Sequence, residues 1–269
     1  MEIPFVKMSA SGNDFVILDN RGENKVAEKD KSRFVRDICR RKTGVGADGV
    51  LLVENSEDAD FRMRYFNSDG GEVEFCGNGA RCIAYFAHNI LDMPARLAFE
   101  SIPGVISAEV DNNFVSIVMP EATEFEGPET LELNDEIVEY YFINTGVPHV
   151  VIFYNDIENA PVLELGRKIR FCEAFKPDGT NVDFIDIATA EDYDIAVRTY
   201  ERGVEDETLA CGTGVTAAAL VAFYLEKLKP PARIKVALPD ILTVNISPEG
   251  RPVLSGEVDL VFEGIYRLS

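Results

Sequence analysis

Read along the chain, apolar positions mostly alternate with polar ones or gather in short runs rich in Val, Ile, Phe and Tyr, bounded by Gly, Pro, Asn and Asp. That texture predicts strands. In the first half they fall at Ile3–Met8, Asp14–Asp19, Val50–Glu54, Phe61–Phe66, Arg96–Glu100, Val105–Val110 and Phe114–Met119. In the second half they fall at Ile137–Ile143, Val150–Tyr154, Val182–Ala188, Ile195–Glu201, Arg233–Leu238, Ile241–Ile246 and Val253–Phe262. Helical periodicity is rarer. Ser32–Arg41 puts Phe34, Val35, Ile38 and Cys39 on one stripe, with Gly44 placed to cap it. Two longer helices, Asn78–Leu91 and Thr213–Leu228, are apolar nearly all round, as buried helices are. The expected fold class is α+β, with two domains, each a curved mixed or antiparallel sheet wrapped round one central buried helix.

The segment Pro120–Glu132, with five glutamates, Gly127 and Pro128, reads as an acidic linker. It places the boundary between an N-terminal domain of residues 1–119 and a C-terminal domain of residues 120–256. The final strand, about residues 257–269, is a candidate to return to the first domain. A chain of 269 residues suits two domains of about 130 residues each.

Composition narrows the functional classes. The net charge of −21 gives no basic face for nucleic acid and opposes anionic lipid. No stretch of about 18 apolar residues suggests a membrane span, and the first residues do not read as a signal peptide. The expectation is a cytoplasmic protein handling a small molecule, with a homodimer left open. Five cysteines, an odd count, argue against a disulfide framework. Cys76 and Cys82 lie six residues apart, about 600° of helical rotation, so they point to different faces. With only His88 and His149 besides, no metal site is expected.

One internal repeat carries the chemistry. Glu72-Val-Glu-Phe-Cys76-Gly77-Asn78-Gly79-Ala80 resembles Glu207-Thr-Leu-Ala-Cys211-Gly212-Thr213-Gly214-Val215. The offset, 211 − 76 = 135, is half the chain, and each copy opens a buried helix. This implies duplication of one domain, with a pseudo-twofold axis and a ligand site in the cleft between domains. At such a helix start the first N–H groups point outward at an anion. A cysteine there sits in the same positive field, which favours its thiolate. A lone cysteine before Gly-x-Gly is usually a small buried hydrophobe. Two copies half a chain apart point instead to one carboxylate held by two helix ends, with a thiol on either side of its Cα. One thiolate would remove the proton and the opposite thiol would return one, giving racemisation or epimerisation. Cys39, Cys82 and Cys172 are read as core or helix-face residues. Gly44-Val-Gly-Ala-Asp-Gly49 follows a helix and precedes a strand, the wrong order for a dinucleotide fingerprint. No pyridoxal or other cofactor is expected.

These blocks resemble the diaminopimelate epimerase family. The matching stretches are Ser11-Gly-Asn-Asp-Phe15, Gly44-Val-Gly-Ala-Asp48, Phe66-Asn67-Ser-Asp-Gly70, Cys76-Gly-Asn-Gly-Ala-Arg-Cys82, Pro148-His149, Gly179-Thr-Asn-Val-Asp-Phe184 and Tyr200-Glu-Arg-Gly203, leading to Cys211-Gly-Thr-Gly214. The resemblance implies that Cys76 and Cys211 are the acid–base pair. It implies that Gly77, Asn78, Gly212 and Thr213 hold the reacting carboxylate through backbone N–H groups. Asn67, Asn181 and Arg202 would bind the distal carboxylate and Glu201 the distal ammonium. Asn13 would line the pocket, and His149 and Glu201 would tune the thiols. The implied reaction interconverts LL- and meso-2,6-diaminopimelate and serves lysine biosynthesis. The chain departs from the pattern at Val147, often Asn, at Gly49, often Gln, and at Ser9-Ala10, all on the recognition side. Related readings are a pyridoxal-independent racemase of histidine or proline type, and a non-enzymatic thiol protein switched by a Cys76–Cys211 disulfide.

Overall fold

The computed structural model describes residues 2–22, 25–133, 136–188, 191–237 and 240–268. It divides into two units, Met1–Ile117 with Ser255–Ser269, and Val118–Leu254.

In the first unit the order is β1 (Glu2–Ala10), β2 (Asn13–Asp19), α1 (Lys31–Cys39), β3 (Gly49–Glu54), β4 (Phe61–Asn67), β5 (Glu72–Val73), α2 (Gly77–Asn89), β6 (Arg96–Ser101), β7 (Gly104–Asp111) and β8 (Phe114–Val118). The sheet is mixed. β1 pairs antiparallel with β2, β2 parallel with β3 in the register Phe15↔Gly49, and β3 antiparallel with β4 in the register Gly49↔Asn67. β4 runs parallel to β6, and the C-terminal strand Asp259–Arg267 pairs with β1. Side chains alternate across a strand. Val16, Leu18, Val50 and Leu52 therefore meet Phe34, Val35 and Ile38 of α1 on one face. Helix α2 packs on β1, β2, β3, β4 and β7.

The second unit repeats the plan with β9 (Thr123–Leu133), β10 (Glu136–Asn144), β11 (Pro148–Phe153), α3 (Val162–Arg170), β12 (Asn181–Ile187), β13 (Ile195–Glu201), β14 (Asp206–Thr208), α4 (Gly212–Tyr224), β15 (Ala232–Lys235) and β16 (Ile241–Ile246). β11 and β12 are parallel in the register His149↔Asn181, and β12 and β13 are antiparallel in the register Asp183↔Thr199. Helix α4 is buried from Gly212 to Ala222 and packs on β10 to β13, β15 and β16. Its alanine run combines high helix propensity with a thin cross-section. Among the described residues, no helix is long and apolar enough to cross a membrane.

The structure departs from the sequence expectations in three places. The acidic segment Pro120–Glu132 is largely strand, because β9 draws its order from a backbone ladder to β10 (Leu131↔Val138, Glu129↔Tyr140) while its acidic side chains stay in water. Helix α3 went unread. Its buried residues Val162, Leu165 and Ile169 have helical spacing, but Gly166 interrupts them. A Cβ at Gly166 would meet the Tyr200 side chain at 2.6 Å, so glycine is there for space. The run Val253–Phe262 is two strands, Pro252–Glu257 and Asp259–Arg267, broken at Val258. Of the expected strand Arg233–Leu238, residues 233–235 lie in β15, and Leu238 lies outside the described residues.

Candidate active site

In the first unit Cys76 is the N-cap of α2, with extended backbone and a half-buried side chain whose sulfur accepts from Gly79 N–H at 3.5 Å. The next residues, Gly77 and Asn78, begin the helix and are buried. The Asn78 side chain does not face a ligand space. Its Nδ2 donates to Asn13 Oδ1 at 2.8 Å, and its Oδ1 accepts from Arg81 Nη2 at 2.7 Å. Arg81 is fully buried and also donates to Ser11 Oγ and to the Glu257 carbonyl. Asn13 Nδ2 in turn donates to Asp48 at 3.2 Å, and Arg41 bridges Asp48 and Asp14. Arg81 thus pins the helix start to β2 through two amides, each with donor and acceptor ends satisfied. Asn67 closes β4 opposite Gly49 with its side chain exposed. A Cβ at Gly49 would come within 2.5 Å of Phe66 O and 2.6 Å of the Tyr65 ring. The space a longer side chain would need there is filled by Tyr65.

In the second unit Cys211 is the N-cap of α4 and is buried, its sulfur 3.3 Å from Thr213 Oγ1. Thr213 O accepts from Thr145 Oγ1, and Gly212 O from Thr216 Oγ1. The first carbonyls of the helix are therefore engaged while its first N–H groups point out of the helix. Burial pushes the Cys211 thiol well above its ordinary value, aided by the charges of Glu201 and Asp183 and opposed by Thr213 and the Gly214 N–H. The positive helix end was expected to favour thiolate, but for Cys211 desolvation and two carboxylates outweigh it. On β11, β12 and β13 lies a polar group with no counterpart among the described residues of the first unit. His149 Nδ1 is 2.6 Å from Asp183 Oδ2, and Thr199 Oγ1 donates to Asp183 Oδ1 at 2.7 Å. His149 and Asp183 are wholly buried and Thr199 nearly so. Asn181 Nδ2 donates to Pro148 O at 3.0 Å and faces His149 Nε2 at 3.5 Å, while Asn181 Oδ1 accepts the Arg202 N–H at 2.9 Å. Arg202 also donates to the Asp178 carbonyl at 3.3 Å.

Each unit thus presents a thiol at an outward-facing helix end, and the sequence comparisons fit that geometry. The model of the family described as diaminopimelate epimerase matches residues 5–124 and 141–261. The chain belongs to the diaminopimelate epimerase family. Its relatives include the Aquifex aeolicus diaminopimelate epimerase, 46% identical over 274 residues that cover 97% of this chain and 96% of that protein. The Archaeoglobus fulgidus diaminopimelate epimerase is 40% identical over 282 residues, covering 100% of this chain and 98% of that one. Among solved structures, a Bacillus anthracis phenazine biosynthesis protein of the PhzF family shares the fold at a TM-score of 0.74, 19% identity and full coverage of both chains. A probable proline racemase from Agrobacterium radiobacter K84 also shares it, at a TM-score of 0.74 and 14% identity over 99% of this chain and 93% of that one. The α+β fold of two similarly built units is therefore this family's fold.

For a chain of this family, the residues expected from sequence fall into two sets. Cys76, Gly77, Asn78 and Asn13 come together in the first unit by direct bonds or helix position, and Asn67 lies at the same sheet end on β4. In the second unit Cys211, Gly212 and Thr213 open α4, while His149, Asn181 and Arg202 join through side-chain bonds. Glu201 closes β13, half-buried, beside Arg202. Residues that the sequence reading passed over are Arg81, Thr145, Asp183 and Thr199. Asp183 had a visible signal, a carboxylate inside the apolar run Val182–Ile185. Among the described residues no group of three or more His, Cys, Asp or Glu could hold a metal ion.

Proposed function

We propose that this chain interconverts LL- and meso-2,6-diaminopimelate by proton transfer between its two N-cap cysteines and the substrate Cα. The observation that carries the reading is the repeated thiol at a helix start, Cys76 on α2 and Cys211 on α4, in a chain of this family. The reacting carboxylate takes the outward N–H groups at Gly77 and Asn78 and at Gly212 and Thr213. One cysteine, as thiolate, removes the Cα proton. The other, as thiol, delivers a proton to the opposite face, and the charge developing on the carboxylate is held by those fixed donors. Each acid–base step contributes about 10²–10⁴ in rate, and positioning supplies much of the rest. Asn67 and Arg202 hold the distal carboxylate, with Asn181 supporting the Arg202 backbone beside it, Glu201 holds the distal ammonium, and Asn13 borders the site. His149 and Glu201 tune the thiols.

The pKa of Cys211, raised by burial, suits the donor role, since it must be a thiol to give a proton. The route uses only this chain's own groups, without pyridoxal phosphate. All five cysteines are free, which accords with a reducing cytoplasm, and membership of the family supports a product that enters lysine biosynthesis. The test is reduced protein in D₂O with LL-diaminopimelate and no added cofactor. Deuterium should enter one Cα, and both Cys76→Ala and Cys211→Ala should abolish epimerisation. Retention of activity by either variant refutes the two-cysteine route.

A further inference from the structure

The repeat allows position-by-position comparison of the two sheets. In the first unit Phe15 and Gly49 are paired, and two residues along β3 Leu51 pairs with Tyr65. In the second unit the same ladder positions hold His149 with Asn181, and Asp183 with Thr199. A fold that accepts Phe, Leu and Tyr at these places does not need His, Asp and Thr to stand. Burying a carboxylate is costly unless it is paired, and the surroundings are shaped to admit this one. A Cβ at Gly214 would lie 2.3 Å from Asp183 Oδ1, whereas at the matching Gly79 its nearest neighbours would be Leu51 methyls at 3.2 Å and 3.5 Å.

We propose that Asp183 is a positioning residue that locks His149 in one tautomer and, through it, sets the Asn181 amide that holds the Arg202 backbone. This rests on the epimerase reading for its consequence in catalysis, though not for its geometry. A carboxylate only accepts. With Thr199 donating to Oδ1, Asp183 Oδ2 calls for the hydrogen of His149 on Nδ1. The lone pair of His149 is then on Nε2, facing Asn181 Nδ2. That sends the Asn181 amine toward His149 and Pro148 O, and its carbonyl toward Arg202 N–H. Reversing the histidine tautomer sets N–H against N–H and favours the flipped amide, which would turn its NH₂ onto the Arg202 donor. Every link from Thr199 to Arg202 therefore has a single consistent polarity, and the candidate distal clamp inherits its orientation from Asp183.

The test uses the full-length ¹⁵N-labelled protein, whose only histidines are His88 and His149. Long-range ¹H–¹⁵N spectra should show His149 with a protonated Nδ1 and a bare Nε2. Asp183→Asn has one acceptor where Asp183 has two, so His149 should populate both tautomers and the Arg202 amide resonance should move. Its kcat/KM should fall on the order of 10- to 100-fold, by analogy with the loss on removing a carboxylate behind a metal-bound histidine. In a His149→Gln background the same change should cost less than about 3-fold, as a residue acting through His149 requires. Should Asp183→Asn not fold, His149→Gln alone should still shift the Arg202 amide, because it breaks the next link. The proposal is overturned if wild-type His149 carries its proton on Nε2. It is equally overturned if neither variant moves the Arg202 amide, or if the Asp183→Asn loss is undiminished in His149→Gln. A wild-type protein with no epimerase activity would instead sink the function proposed above, and the spectra would still decide this one.

Discussion

The sharpest physical test of the second helix end is to add one methyl group to it. Gly79 and Gly214 are each the third residue of their helices, α2 and α4, and each follows a cysteine N-cap by three. Propensity alone makes alanine better than glycine by up to about 1 kcal/mol in a helix, less near its end. At Gly79 the new methyl would meet Leu51 Cδ2 at 3.2 Å and Cδ1 at 3.5 Å, terminal groups that can rotate aside, and Cys76 Cβ at 3.6 Å, an ordinary contact. At Gly214 it would sit 2.3 Å from Asp183 Oδ1 and 3.1 Å from both Asp183 Cγ and Thr199 Oγ1. The carboxylate must retreat by about 1 Å, and it is fully buried and bonded on both oxygens. Overpacking costs about 1–3 kcal/mol, and losing one charge-assisted hydrogen bond about 1.5–3 kcal/mol. Against the helix gain, Gly214→Ala should destabilise by about 2–5 kcal/mol and Gly79→Ala by less than about 1 kcal/mol. For units of this size the first corresponds to a drop in melting temperature on the order of 10 °C and the second to about 3 °C or less. Differential scanning calorimetry of both variants under reducing conditions reads the difference. Equal losses, or a Gly214→Ala protein as stable as the parent, would refute the close packing of α4 on a buried Asp183.

Three further outcomes follow from the same geometry. Arg202→Lys keeps the charge but loses the planar fork, so KM for diaminopimelate should rise at least about 10-fold with a smaller change in kcat; unchanged KM would remove Arg202 from the distal clamp. Burial pushes Cys39 up to about 12 and raises Cys82 and Cys211 as well, so the fold holds thiol protons that the unfolded chain releases above pH 9. Their contribution is complete below pH 9 and is lost as pH rises through the folded values. Urea midpoints should therefore fall with rising pH above 9, less steeply in Cys211→Ala, and a flat profile would contradict the burial. Mass spectrometry of protein treated briefly with iodoacetamide at pH 8 should find the half-buried Cys76 and Cys172 modified before buried Cys211, because reaction needs exposure and thiolate. Modification of Cys211 first would contradict its placement.

The chemistry at the helix ends was legible because it is local. A cysteine followed by Gly-x-Gly and an apolar run states its own backbone, and two such runs 135 residues apart state the duplication. The two central helices emerged within four residues of their observed ends for the same reason. What escaped depends on partners distant in sequence. β9 carries almost no buried side chain, so its order comes from a ladder to β10 that no pattern within Thr123–Leu133 reveals. α3 is interrupted by Gly166 because the Tyr200 side chain, 34 residues on, occupies the space of a side chain there. His149 was legible from the resemblance alone. Its partner Asp183 was not, because the bond between them crosses two parallel strands.

The duplication explains why that last pair matters. One scaffold has been used twice, and the register lets each position in one sheet be laid on its counterpart in the other. Where the copies agree, as at the N-cap thiols and the glycines after them, the proposed reaction uses the same thing twice: a carboxylate anchor and a proton carrier. Where they differ, the two sides of the proposed reaction would differ. Under α2 the sheet offers Phe15, Leu51 and Tyr65, and Arg81 braces the helix start from within. Under α4 it offers His149, Asp183 and Thr199, and the thiol itself is withdrawn from water. On the proposed route, a proton leaving toward one cysteine and arriving from the other would therefore meet two unlike environments. The two ends of LL-diaminopimelate are equivalent, so confining inversion to one Cα falls to the protein. What the second unit offers such discrimination is a buried thiol whose pKa is raised and a polar chain running from the sheet beneath it to the backbone of Arg202.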